Sequence, residues 1–327
     1  MKRAGLLLVA PAALLLLGAD DPGIKLQSPI ACAVGSDCWI QSYPDHDPGP
    51  GARDGRCGSQ TYDGHDGTDF RIADMAVQKQ GVNVLAAAKG VVRNLRDGVD
   101  DISIRAANAP DISGRECGNG VVIVHANGWE TQYCHMAKGS LAVKSGQAVE
   151  AGTVLGRVGL SGDTEFPHLH FSLRHNGQKL DPFNWDQPMA QCSVTPHSLW
   201  DKRLAASFAY RPVELIRSGF ASGEVDTNAI LQATVSTANA NSPFLVAYAQ
   251  IIHLEGGDKI SLTLKGPDGN TLAETSTPPM NRPKAQYLVF AGPKLKQAAW
   301  PKGRYLAEVT VLRRSVPVLK RQFSIQL

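Results

Sequence analysis

The stretches Gly64-His65-Asp66-Gly67-Thr68-Asp69, Tyr133-Cys134-His135 and Pro167-His168-Leu169-His170-Phe171 carry five histidine or carboxylate side chains able to hold and use one metal ion. His65 and Asp69 are separated by three residues, including Gly67, at the start of the strand-like Asp69-Phe70-Arg71-Ile72. A glycine there lets the backbone bend so that both side chains converge. His168 and His170 stand two apart on an expected strand and project from one face. Thr131, Tyr133 and His135 follow the same period of two, so that face can bring His135 to the same cleft, while Cys134 is expected on the opposite face with a structural role. A catalytic zinc usually keeps three protein ligands and leaves a fourth position for water. That count fits His65, Asp69 and His170, with His135 and His168 left for proton chemistry.

Around these motifs the chain reads as mainly β. Short runs recur at Val82 to Ala88, Val91 to Leu95, Val121 to Val124 and Thr131 to His135, the last two flanking the hairpin signal Asn127-Gly128. Val143 to Val158 places Gly146, Gly152 and Gly156 between apolar positions, and Leu169 to Arg174 ends at an Asn176-Gly177 turn. Asp74 to Lys79 allows one short helical turn. Residues 20–60 are loop-rich, with turn chemistry in Asp45 to Gly51. Residues 187–212 read as a linker packed against its neighbours, with one possible helix, Leu199 to Ala206.

Beyond the linker, residues 213–327 show seven candidate strands: Ile230 to Val235, Phe244 to Leu254, Lys259 to Leu264, Thr271 to Thr275, Ala285 to Phe290, Tyr305 to Leu312 and Val316 to Ile325. Their number and spacing match an immunoglobulin-like β-sandwich, with a small open barrel as the alternative.

The totals bound the function. The chain has 327 residues, 43% hydrophobic and 19% charged, with 32 glycines and 20 prolines, which favours turn-rich β structure over helix bundles. The formal net charge is +3, two of it in Lys2 and Arg3, so nothing electrostatic supports a nucleic-acid partner. Lys2-Arg3 followed by the apolar Leu6 to Leu17 reads as a signal peptide over residues 1–19, and the protein is expected to be secreted or periplasmic, with no transmembrane segment after cleavage. All six cysteines fall between Cys32 and Cys192 and are expected to form disulfides bracing the first domain, with Cys32 and Cys38 a plausible local pair.

The His-x-x-x-Asp, Tyr-x-His and His-Leu-His-Phe elements, in that order, resemble the lysostaphin and LytM-type zinc metallopeptidases, which cleave peptide bonds in bacterial cell walls. The resemblance spans roughly residues 60–185. It implies a compact antiparallel β peptidase domain (residues 61–186) with the metal in an open groove. It also implies one zinc ion per chain held by His65, Asp69 and His170, His135 and His168 as the catalytic pair, and peptidoglycan as substrate. Two features depart from the family pattern: Glu165-Phe166 replaces a small residue at the groove edge, and a cysteine-laced segment, residues 20–60, stands where it can cover the groove. Asp63 and Asp66 are candidates to orient His65, and Asn119 can reach the groove or merely turn the chain. His46, His125, His175, His197 and His253 read as structural or surface histidines. Two other readings compete: a non-catalytic envelope binding or activator module, and a zinc peptidase acting on proteins. The C-terminal sandwich is expected to position the domain on the envelope or on a protein partner, or to act as a spacer.

Overall fold

The computed structural model describes residues 23–193 and 197–327; the expected signal segment, residues 1–19, lies outside them. In chain order the strands are β1 (Cys38–Ser42), β2 (Thr68–Ile72), β3 (Asn83–Leu85), β4 (Gly90–Arg96), β5 (Asn119–Val124), β6 (Trp129–Met136), β7 (Ala148–Val149), β8 (Val154–Arg157), β9 (His168–His175) and β10 (Gln178–Leu180). They continue as β11 (Glu214–Ala221), β12 (Val246–Leu254), β13 (Lys259–Lys265), β14 (Thr271–Ser276), β15 (Lys284–Ala291), β16 (Arg304–Arg313) and β17 (Val316–Gln326). Among the described residues there are also two short α-helices, α1 (Met75–Gln80) and α2 (Thr227–Leu231), and two 3-10 turns. The chain is mainly β, as its pattern indicates. Among the described residues no helix is long and apolar enough to cross a membrane.

One antiparallel sheet in the order β1-β2-β9-β6-β5-β4-β7 carries the sequence motifs, with β10 beside β9 and a separate β3-β8 pair. Strand β9 shows how the sequence divides its two faces. Leu169, Phe171 and Leu173 are buried in the core against Phe70, Tyr133 and Trp200, while His168, His170 and Ser172 alternate onto the other face. The Asn-Gly signals act as expected. Asn127 (φ 56°) and Gly128 (φ 77°) join β5 to β6, and Asn176 (φ 50°) with Gly177 (φ 81°) joins β9 to β10. Asp74 caps α1 by accepting from the Val77 N–H at 2.9 Å.

The loop-rich segment sends Leu26, Ile30 and Tyr43 into the core and is further ordered by buried carboxylates. Asp54 accepts from the N–H groups of Arg56, Gly58 and Gln60 and from the Tyr210 hydroxyl. Asp45 accepts from the N–H groups of Asp47, Arg53 and Gly64. The segment also supplies β1, an edge strand that its turn-rich composition hides. Its disulfides are Cys32–Cys38, the local pair, and Cys57–Cys192, which spans 135 residues; Cys117–Cys134 is the third.

Beyond residue 212 lie a three-stranded sheet, β11-β12-β15, and a four-stranded one, β14-β13-β16-β17. They share one core, in which Ala249 and Ile251 of β12 meet Leu262 of β13 and Val309 of β16. Two sequence expectations fail here. Ile230 to Val235 is not a strand: Asp226 caps α2 by accepting from the Ala229 N–H at 2.7 Å, so Ile230 is helical. The seventh strand is instead β11, where a register shift between Leu215 and Arg217 breaks the period of two. The possible helix at Leu199 to Ala206 shrinks to a single 3-10 turn, Lys202–Leu204.

The two halves are joined along one seam. Trp39 and Ala73 pack on Ile216 and Ile252, and Arg217 forms an ion pair with the buried carboxylate of Asp74. Gln41 Nε2 donates to the Ala285 carbonyl at 3.0 Å.

Two predictions concern this scaffold. The Cys57→Ala/Cys192→Ala variant should lose roughly 2–5 kcal/mol, measured by urea unfolding under oxidising conditions; an unchanged midpoint would show that the long loop is held by other contacts. His46, in the Pro-Gly loop, is buried against Asp181 at 3.0 Å; burial opposes its charge, but the Asp181 bond wins and raises its pKa. The stability from this pair should be fully present below the unfolded histidine value of about 6.5 and lost as pH rises through the higher folded value. Thermal melts of wild type and His46→Gln should therefore differ most at mildly acidic pH and converge in alkaline buffer.

Candidate metal centre

The five motif residues come together on the face of the main sheet opposite its core. Strands β2 and β9 pair Asp69 with His170 and Arg71 with His168. His65 enters from the turn before β2, held there because the Asp45 N–H donates to the His65 carbonyl at 2.8 Å. His65 Nε2, Asp69 Oδ1 and His170 Nδ1 form a triangle with sides of 3.1, 2.9 and 3.2 Å. Gly67 is required by space. A Cβ there would lie 2.5 Å from His170 Nε2, so the residue clears room for the ring instead of supplying a special bend.

Each ring is oriented from behind. His65 Nδ1–H donates to the Tyr43 carbonyl at 2.7 Å, and His170 Nε2–H donates toward Asp66 Oδ1 at 3.1 Å and Ser172 Oγ at 3.0 Å. His135 Nδ1–H donates to the Ser161 carbonyl at 2.8 Å, and His168 Nδ1–H to the Phe166 carbonyl at 2.9 Å. These acceptors each occupy one ring nitrogen, so each ring turns its other nitrogen inward. Asp66 thus orients His170 and not His65, whose partner is a backbone carbonyl. Asp63 is exposed, and Asn119 spends its amide on the Val99 backbone and the Met136 carbonyl.

The donor chemistry fits a divalent cation. Three lone-pair atoms about 3 Å apart repel unless a positive charge sits among them. A tetrahedral site with bonds near 2.0–2.1 Å has edges of about 3.3 Å, close to the triangle seen. Two imidazoles and one carboxylate are a zinc-type set. His65, Asp69 and His170 are the residues that could hold such an ion. Protons compete for the same place: burial pulls His170 down, but its bonds to Asp66 and Asp69 outweigh that and raise its pKa to about 9. Burial would raise Asp69, yet the charges of His65 and His168 and the histidine hydrogen bonds hold it well below the usual carboxylate range.

His135 arrives by a route the period of two did not indicate. Thr131 and Tyr133 point into the core, where the Tyr133 hydroxyl accepts from the Ala87 N–H at 2.7 Å. His135 has φ 61°, and the β5-β6 register shifts between Asn119 and Val121. This left-handed residue swings the ring to the face that Cys134, opposite His170 in register, also occupies. Cys134 therefore lies on the site face, contrary to the alternation argument, and is structural through its disulfide to Cys117. The His135 and His168 rings stand 4.7 Å apart. Burial, then the neighbouring His168 and His170, keep His135 well below the ordinary histidine value and hence neutral.

Two cavities adjoin the cluster. One of about 600 Å³ is lined by Asp69, His168, Arg71 and Phe166 and, across the seam, by Arg282 and Lys284. The other, of about 350 Å³, is lined by His65, His135 and His170 with the Cys117–Cys134 bridge. Tyr62 and Asp163 line both, and the Tyr62 ring lies 4.4 Å from that of His65. The segment 20–60 walls the first cavity through Gln41, Ser42 and Ser59. Of the remaining histidines, His125 bonds the Lys89 carbonyl and Thr131, His175 stacks on Trp129, His197 pairs with Asp186, and His253 is buried at the seam.

Residues 63–182 match peptidase family M23. Among relatives, a DD-carboxypeptidase/endopeptidase, Mpg, of Neisseria meningitidis serogroup B is 46% identical over 65 residues, 20% of this chain and 14% of that protein. The peptidoglycan DD-endopeptidase ShyA of Vibrio cholerae is 32% identical over 126 residues, 38% of this chain and 24% of that protein. The chain thus spans only about a seventh to a quarter of these relatives' length. Among solved structures, the catalytic domain of the prophage-encoded M23 protein EnpA from Enterococcus faecalis shares 24% identity and covers 47% of this chain and 95% of its own, with a TM-score of 0.33. The similarity to peptidase family M23 thus lies in residues 63–182, the stretch that carries all five motif residues.

Proposed function

We propose that this protein is a zinc-dependent metalloendopeptidase that hydrolyses peptide bonds in bacterial peptidoglycan, in stem peptides or cross-links. The observation that carries the reading is the convergence of three lone pairs, from His65, Asp69 and His170, beside two further histidines with free inward nitrogens. Relatives named as peptidoglycan DD-endopeptidases support the substrate class. In this reading residues 61–186 form the peptidase domain and residues 213–327 a sandwich that positions it in a secreted or periplasmic setting, on the envelope or a protein partner.

His65, Asp69 and His170 would hold one zinc ion, which when bound polarises a carbonyl and acidifies a coordinated water. The rest of the chemistry belongs to the chain. His168 Nε2, with Nδ1–H committed to Phe166, accepts the proton from the attacking water. The same Nε2 lies 3.4 Å from Asp69 Oδ1, whose negative charge steadies the imidazolium that results. His135, neutral and across from His168, receives or relays that proton and delivers it to the leaving amine. Their side chains are almost fully buried at the floor of the two cavities, which limits competing water.

Purified sacculi should release shorter muropeptides on digestion, with mass spectrometry identifying the bond cut. Chelator should abolish release and added zinc restore it. His170→Ala should lose metal and activity together. His135→Ala and His168→Ala should keep zinc, measured by elemental analysis, while turnover falls roughly 10²–10⁴-fold. Undiminished digestion by His170→Ala would end this reading.

A further inference from the structure

Asp69 and Arg71 occupy alternate positions of β2 and share the face on which His170 and His168 are their cross-strand partners. A guanidinium therefore sits one pleat from the cluster. Arg71 is only 2% exposed. Its Nη1 donates to the side-chain oxygens of Gln41 at 2.9 Å and Gln286 at 3.0 Å, and its guanidinium carbon lies 4.3 Å over the Phe166 ring. Its Nε is buried without a partner, and among the described residues no carboxylate forms an ion pair with it.

A buried cation without a counter-charge is costly. Two neutral oxygens and an aromatic face offset only part of that cost. Arg71 lines the cavity of about 600 Å³, whose opposite wall carries Arg282 and Lys284 from the C-terminal sheets. Neither forms an ion pair among the described residues. Of the carboxylates lining the cavity, Asp69 belongs to the cluster and Glu165 is tied to Arg105 at 2.6 Å, which leaves Asp163. The wall facing His168 thus has a surplus of positive charge, and its deepest member lacks an anion.

We propose that this cleft is a carboxylate-binding substrate subsite, in which Arg71, with Arg282 and Lys284 from the C-terminal sheets, holds an acidic group of the peptide beside the scissile bond. The subsite makes the C-terminal half part of substrate recognition as well as of positioning. Its role in hydrolysis rests on the peptidase reading above, but its binding chemistry does not. A planar guanidinium suits a carboxylate through two parallel hydrogen bonds, while Arg282 and Lys284 add attraction from the rim.

The test is equilibrium binding to the full chain in a zinc-loaded, His135→Ala background. Cross-linked muropeptides with free carboxyl groups are compared, by titration calorimetry, with the same muropeptides amidated at those groups. The free form should bind about 10- to 100-fold more tightly, the range for hydrogen bonds to charged groups. Adding Arg71→Gln should bring the free form down to the amidated affinity and leave the amidated form unchanged, and Arg71→Lys should recover part of the difference. The double change Arg282→Ser/Lys284→Ser, at an exposed and a half-buried position, should weaken the free form several-fold and flatten its salt dependence. It also decides the matter should Arg71→Gln fail to fold. Equal binding of the two forms overturns the proposal. So does an equal loss for both on Arg71→Gln, the result expected if Arg71 only rivets the seam. Carboxylate-dependent binding by a wild-type protein that cleaves no muropeptide would retire the peptidase reading and keep the subsite.

Discussion

Everything at the site depends on four imidazoles being held from behind. The Tyr43, Ser161 and Phe166 carbonyls and the Asp66 carboxylate each take one ring N–H, which turns the other nitrogen of each ring toward the site where the Asp69 carboxylate lies. Such an arrangement is unfavourable by itself. It persists because the main sheet registers β2 against β9 and because the loop carrying Tyr43 is locked by buried Asp45 and Asp54. The fold therefore gathers acceptor atoms at one point, where a cation or a shared proton is held favourably. This connects the turn-rich segment before the sheet, which looks expendable in sequence, to the chemistry of the motif residues.

How much was legible depended on whether the local rule survived folding. The alternation His168-Leu169-His170-Phe171 translated directly, because β9 is regular and one of its faces is core. The Asn-Gly turns and the Asp74 cap followed for the same reason: each is decided by its own few residues. His135 was assigned to the site by a rule that does not operate there. Alternation would have sent it into the core with Tyr133, and a left-handed backbone at a bulge reverses it. Tyr43, Ser161 and Phe166 were invisible because they act through backbone carbonyls, which carry no residue signature.

The same reasoning explains the misses in the C-terminal half. Strand β11 holds Arg217, Ser218 and Gly219 and a bulge, so its apolar positions fall out of step, whereas Ile230 to Val235 has strand composition but follows a capping aspartate. Capping chemistry prevailed over propensity. Arg71 carries no sequence signature of a role, since a buried guanidinium can be recognised only when its surroundings are known.

Asp74 does two jobs with one carboxylate: it caps the start of α1 and it meets Arg217 on β11. Rotating the C-terminal sheets away would leave that cap in place but part Asp74 from the Arg217 guanidinium and uncover Trp39 and Ala73. Hinge motion along this seam therefore costs an ion pair and the burial of apolar side chains. The cleft should behave as a jaw of fixed gauge, admitting strands by their thickness, not one that opens to accommodate them.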